Sequence, residues 1–184
     1  MAHIDLKNEE PGIRGPMAYS PHTAKPMNEL AEILLRNDDN SLSKGERELI
    51  GTYVSYLNDC FFCQNVHGAM AGHYLNCSIT EIDAIKANGG AALSPKMNAL
   101  LHIAAAVQQS GKSVTSDMID AAKAAGAHDR EIHDTVLIAA AFCMFNRYVD
   151  GLGTWAPADR QVYVDRAPLR AATGYIGSVP ALVT

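Results

Sequence analysis

Apolar residues recur every three to four positions through most of the chain between residues 28 and 155. Clean period-two alternation is absent, so the pattern predicts helices rather than strands. A first helix is expected over 27–35 on Leu30, Ile33 and Leu34. Asn40-Ser41-Leu42-Ser43 is a start signal, and Ser43 with Glu46 three residues later reads as a capping box. The helix it opens carries Glu48, Leu49, Ile50, Tyr53, Val54 and Leu57, and Asn58-Asp59 interrupts it. A new helix is predicted from near Cys60, with Val66, Met70 and Tyr74. Ser78 or Thr80 opens another, closed by Asn88-Gly89-Gly90. Pro95, at a first helical position where its missing N–H costs nothing, opens one that runs to about Gln109. Thr115 or Ser116 caps a helix ending at Gly126, and Asp129 caps a long one that stops at Gly151. The alanine content favours helix throughout, and the fold class expected is all-α.

The ends read differently. Residues 1–27 hold four prolines and few periodic apolar positions, which predicts an extended arm or irregular wrap. Residues 28–155 form the expected helical domain, and 156–184 an irregular tail. Leu42-Ser43-Lys44 faintly echoes Leu93-Ser94-Pro95-Lys96, and shared helix-start chemistry accounts for it as well as a duplication would.

Composition narrows the function. The 184 residues suit one domain, and 48% hydrophobic content supports a real core. A net charge of -5 with scattered basic residues leaves no stripe for nucleic acid and no basic face for a membrane surface. The longest apolar run, 136–145, is too short to span a bilayer, which takes roughly 20 residues. No leader is visible in the first residues, so a cytoplasmic location is expected. In a reducing compartment four cysteines read as catalytic, metal-binding or buried thiols. Cys143, inside an alanine- and phenylalanine-rich run, is expected in the core, and Cys77 near a helix end as a packed thiol.

The chemistry concentrates in Cys60-Phe61-Phe62-Cys63, followed four residues later by His67. Two thiols three positions apart can close a disulfide. The break at Asn58-Asp59 puts both in the first turn of a helix, where unpaired N–H groups favour a thiolate. At roughly 100° per residue, His67 projects on the cysteine face. Glu48 would lie roughly 22 Å from Cys63 along a straight helix, too far for a relay. If the chain doubles back at Asn58-Asp59, Glu48 and His67 reach similar depths, and the carboxylate can orient the imidazole. Such a site supports peroxide reduction through a sulfenic acid and a disulfide, or disulfide exchange with a protein or lipoyl partner. A zinc site from Cys60, Cys63, His67 and Cys77 is a rival reading, as is a non-catalytic helical oligomer with structural cysteines. Arg147 and His133 share a face of the last long helix; Arg147 suits a substrate carboxylate or an ion pair, and His133 the surface.

Glu48, eleven residues, Cys60, two residues, Cys63, three residues, His67 resembles the signature of AhpD-like alkylhydroperoxidases of the carboxymuconolactone decarboxylase superfamily. The run from Asp134 to Ala141, with Phe145-Asn146-Arg147 and Asp150-Gly151-Leu152-Gly153, looks like the peroxidase-related branch. The resemblance covers roughly residues 30–155. It implies an all-helical fold in trimers or hexamers, with Cys63 attacking the hydroperoxide, Cys60 resolving, and Glu48 and His67 as a proton relay. It implies a lipoyl-type or protein dithiol as reductant. No metal or other cofactor is expected. It departs at Phe62, where some members carry a second histidine. The decarboxylase branch generally lacks the cysteine pair, which points away from that activity.

Overall fold

The computed structural model describes residues 2–176. These contain nine α-helices and no strand: α1 (Arg14–Tyr19), α2 (Pro21–Arg36), α3 (Lys44–Leu57), α4 (Phe61–Leu75), α5 (Ile79–Ala87), α6 (Pro95–Gln109), α7 (Ser116–Ala124), α8 (Asp129–Gly151) and α9 (Gln161–Thr173). None is long and apolar enough to cross a membrane. The all-α expectation holds, and so do most helix starts. Ser43 and Ser78 each accept from the third backbone N–H of the helix they cap, and Glu46 and Glu81 accept in return from the capping residues' N–H. Ser94 and Thr115 cap α6 and α7. At α8 the cap position falls to His128, one residue before Asp129; the Glu131 carboxylate accepts from its N–H at 2.9 Å.

The chain is organised around α3. Ten of its residues are buried, against α4 on one side and α6 and α8 on others. Leu49, Ile50 and Val54 join Leu100, Ile103, Ile138 and Phe142 in the main core. The reversal into α4 is tight: Asp59 takes a left-handed φ of 56°, and the Cys60 N–H donates to the Ser55 carbonyl at 3.0 Å. A short polar side chain tolerates that conformation. The two helices therefore run back along each other.

A second, smaller cluster forms where α4 meets α9: Cys60, Phe62, Cys63, Met70, Val149, Tyr163 and Ala167. The segment before α1 closes over it. The Gly12 N–H donates to the Trp155 carbonyl at 2.8 Å, and the Trp155 indole N–H donates to the Glu9 carbonyl at 3.1 Å. Gly12 has a φ of +55°, and a Cβ there would overlap the Phe62 ring. Both backbone and space thus demand glycine at this position.

The chain ends differ from the expectation in two ways. Residues 14–27, expected as irregular arm, are largely helical, and α2 starts at Pro21 rather than Met27. Of the four prolines that suggested irregularity, Pro16 and Pro21 occupy early helical positions, where few or no intrahelical N–H bonds are lost, Pro11 precedes α1, and Pro26 is accommodated inside α2. Ala24, Asn28, Ala31 and Leu35 give α2 a buried stripe. Within 156–184, expected as irregular, α9 forms despite Pro168. Polar anchors hold it. Arg160 donates to both Asp83 carboxylate oxygens at 2.7 and 2.8 Å and to Asn65 Oδ1 at 2.7 Å; Arg36 reaches the Ala171 carbonyl at 2.5 Å. Residues 177–184 of that expected tail lie outside the described residues.

Candidate active site

Cys60 is the N-cap residue of α4 and Cys63 lies in its first turn, as the spacing predicted. Both thiols are buried and free, and they are hydrogen-bonded to each other. The expected lowering of the thiol by the helix start does not prevail at Cys63. The hydrogen bond with Cys60 and burial push the Cys63 thiol well up, against a smaller opposing effect from the Asn146 amide. Cys63 is therefore a protonated thiol at neutral pH and needs a base to become a nucleophile.

The base candidate is one turn away. Cys63 and His67 stand four residues apart on one face of α4, and both line a cavity of about 210 Å³. Cys60 lies behind them and does not line it. The α3–α4 reversal brings Glu48 opposite His67, with 2.7 Å between Glu48 Oε2 and His67 Nδ1. The doubling back that the sequence required is present. Glu48 is fully out of solvent, while 13% of the His67 side chain is exposed. The Phe142 ring packs edge-on against the imidazole at 4.6 Å between centroids.

Tyr175 was not among the residues singled out from the sequence. Its hydroxyl donates to Glu48 Oε1 at 2.7 Å and lies 3.4 Å from His67 Nδ1. Its ring stacks on the imidazole at 6.0 Å. Burial, followed by the charge of Glu48, holds the phenol well above the ordinary tyrosine range, so it is a neutral donor. The two Glu48 oxygens thus meet partners that lie 108 residues apart in the chain. Cys60 has its own acidic neighbour in Asp150. Burial, chiefly, and the charge of Asp59 push the Asp150 carboxyl up, against a hydrogen bond from Cys60. Asn146, buried on α8, donates to Ser55 Oγ at 3.0 Å and accepts from Asn58 at 2.8 Å, which fixes its amide beside Cys63.

Residues 21–104 match the model of the Carboxymuconolactone decarboxylase family. A peroxidase-related protein from Silicibacter sp. TM1040 superposes with a TM-score of 0.74 at 23% identity, over 84% of this chain and 78% of that one. An alkylhydroperoxidase AhpD core protein, also described as peroxidase-related, from Ralstonia eutropha JMP134 gives 0.73 at 27% identity, over 81% and 76%. Residues 21–104 thus resemble that family, and the fold is shared with these two peroxidase-related structures. The chain's likeness falls on the peroxidase-related branch. No curated protein matches it.

Phe62, the position at which the sequence departs from the motif it resembles, has a packing role. Its ring lies under Gly12 and meets Tyr163 edge-on at 6.0 Å, which joins the N-terminal segment and α9 to α4. Among the described residues no three His, Cys, Asp or Glu side chains converge as a metal site. The four side chains weighed as a zinc set therefore do not meet; Cys77 sits past the end of α4, its thiol 3.6 Å from the Leu75 carbonyl. Cys143 is buried in the core, as expected. Arg147 is exposed and outside the cavity lining, and His133 is exposed and 2.9 Å from the Asp134 carboxylate.

Proposed function

We propose that the chain is a thiol peroxidase that reduces organic hydroperoxides through a Cys60–Cys63 disulfide cycle. The observation that carries this reading is the asymmetry of the pair: Cys63 faces the cavity together with His67, and Cys60 lies behind it. Its AhpD-like relatives support the same chemistry.

The Glu48 carboxylate accepts the Nδ1 proton of His67, which leaves Nε2 as the proton acceptor. His67 takes the Cys63 proton, directly or through a cavity water. The thiolate attacks the distal peroxide oxygen, the O–O bond breaks, and the alkoxide leaves as alcohol with the proton returned from His67. Cys63 is now a sulfenic acid. Cys60 attacks its sulfur, and Asp150 takes the Cys60 proton and passes it to the departing hydroxide, which leaves as water as the disulfide forms. A dithiol, lipoyl-type or from a protein, then exchanges with the disulfide and restores both thiols. Phe62 takes no part in proton transfer in this scheme. A homo-oligomer belongs to the same reading, supported by Leu137 and Met144, which are exposed on the outer face of α8.

The test is a thiol count before and after one equivalent of an organic hydroperoxide. Two thiols should disappear, and Cys63→Ser should abolish the loss. Unchanged thiols in the native protein would overturn the peroxidase assignment. Disulfide exchange without peroxide reduction would favour the oxidoreductase alternative.

A further inference from the structure

The cavity over Cys63 has walls of two kinds. Its interior is apolar: Met17, Met27, Leu35, Val66, Met70 and Phe145 come from α1, α2, α4 and α8. Its α9 wall carries Arg166 and Arg170, and Arg14 joins them from α1. Arg14 is ion-paired with Glu10 at 2.6 Å. Arg166 is exposed and makes no hydrogen bond or ion pair among the described residues. Arg170 is half-buried; it donates to the Gly174 carbonyl at 3.1 Å and lies over the Tyr175 ring at 5.4 Å, with no ion pair among the described residues.

Two cations four residues apart on a helix repel each other by a few tenths of a kcal/mol. Burial pushes Arg170 down and the charge of Arg14 adds to that, while Tyr175, Glu48 and Glu32 act in the opposite direction without outweighing them. Counting Glu10, Arg14, Arg166 and Arg170, the mouth carries two positive charges in excess. A guanidinium has five N–H donors, and Arg170 commits one of them to Gly174. An anion placed between Arg166 and Arg170 would relieve the repulsion and accept the remaining donors in the forked geometry that suits a carboxylate.

Resting on the peroxidase reading above, we infer that the substrate is amphiphilic: a hydroperoxide of an apolar-chain carboxylic acid, with its chain in the cavity above Cys63 and its carboxylate held by Arg166 and Arg170. The apolar lining takes the chain, and the arginines fix which end faces outward. Hydrogen peroxide, with neither part, gains nothing from these walls.

Two measurements separate this inference from the peroxidase reading. The first uses no peroxide: decanoate and 1-decanol are titrated calorimetrically into the Cys63→Ser protein. Decanoate should bind at least about tenfold more tightly, and Arg166→Gln should remove most of that difference. Arg166 is exposed, so its replacement spares the fold; Arg166→Lys should restore only part of the preference. The second compares the rate of thiol loss with linoleic acid hydroperoxide and with its methyl ester, for native protein and Arg166→Gln. The acid should react faster, and the variant should bring the two rates together. Equal binding of decanoate and decanol, or equal rates for acid and ester in the native protein, would overturn the substrate class while leaving peroxidase activity intact. Selective decanoate binding without reaction of any hydroperoxide would sink the catalytic reading and retain the anion-selective cavity.

Discussion

Tyr175→Phe removes one oxygen atom and leaves the ring that stacks on His67. What it takes away is the 2.7 Å hydrogen bond to Glu48 Oε1, inside a site where Glu48 has no solvent contact. A hydrogen bond to a charged group contributes about 1.5–3 kcal/mol, and a buried acceptor left without its donor incurs a comparable cost. For a chain of this size each kcal/mol lowers the melting temperature by about 2–4 °C, so a drop of about 3–12 °C is expected. The kinetic consequence is separate. With Oε1 released, the carboxylate can turn away from His67 Nδ1, and the rate of Cys63 oxidation should fall about tenfold or more if even 1.4 kcal/mol of that alignment is lost. The assay is stopped-flow oxidation of the reduced protein, followed as thiol loss across pH 6–9, alongside a thermal melt. A change in the pH profile marks action through His67, because loss of packing alone lowers stability without moving the profile. A variant that melts within 1 °C of the native protein and keeps its rate and profile would refute the place given to Tyr175.

Glu48→Gln should slow iodoacetamide alkylation of Cys63 at neutral pH, since the amide orients the imidazole without a charge; an unchanged rate removes Glu48 from the mechanism. Gly12→Ala places a methyl group on the Phe62 ring and an L residue at positive φ, a conformation that alone costs roughly 1–2 kcal/mol. Its melting temperature should fall and proteolysis of the N-terminal segment should quicken, whereas native-like melting would mean that the segment is not seated on Phe62. The raised Cys63 thiol gives a pH dependence with a definite sign. The folded chain holds this proton more tightly than the unfolded one, so the associated stability is intact at neutral pH and is lost as pH rises above the ordinary thiol range, about 8.5. Melts between pH 8 and 10 should decline more steeply for native protein than for Cys63→Ser, and parallel declines would count against the raised thiol.

The α3–α4 hairpin was legible because its signals are local. Ser43 with Glu46 fixed where α3 begins, Asn58-Asp59 marked the reversal, and helical spacing put Cys63 and His67 on one face. The pairing of Glu48 with His67 needed only that reversal. Tyr175 was not legible: 127 residues separate it from Glu48, and nothing in Thr173-Gly174-Tyr175 distinguishes it from a surface tyrosine. The α9 wall was missed for a related reason. Tyr163 and Ala167 are its only buried residues, and its anchors, Asp83, Asn65 and Arg36, come from other helices. The early prolines misled because a proline's effect depends on its position in a helix, which composition does not give. The direction of the Cys63 shift also escaped, because burial is a property of the assembled layers rather than of the helix start.

The seam between Trp155 and the N-terminal segment has a practical use. Trp155 is the chain's single tryptophan, so the red-most ultraviolet emission of the whole protein originates there. The residue is 47% exposed, and its indole N–H is held by the Glu9 carbonyl, three residues before the Gly12 backbone turns over Phe62. Release of that segment frees the indole to water, which shifts its emission to longer wavelength. The unlabelled protein therefore carries its own optical reporter on the closure of the cavity, and a ligand entering beside Phe62 can be followed in real time without a dye, a tag or an added chromophore.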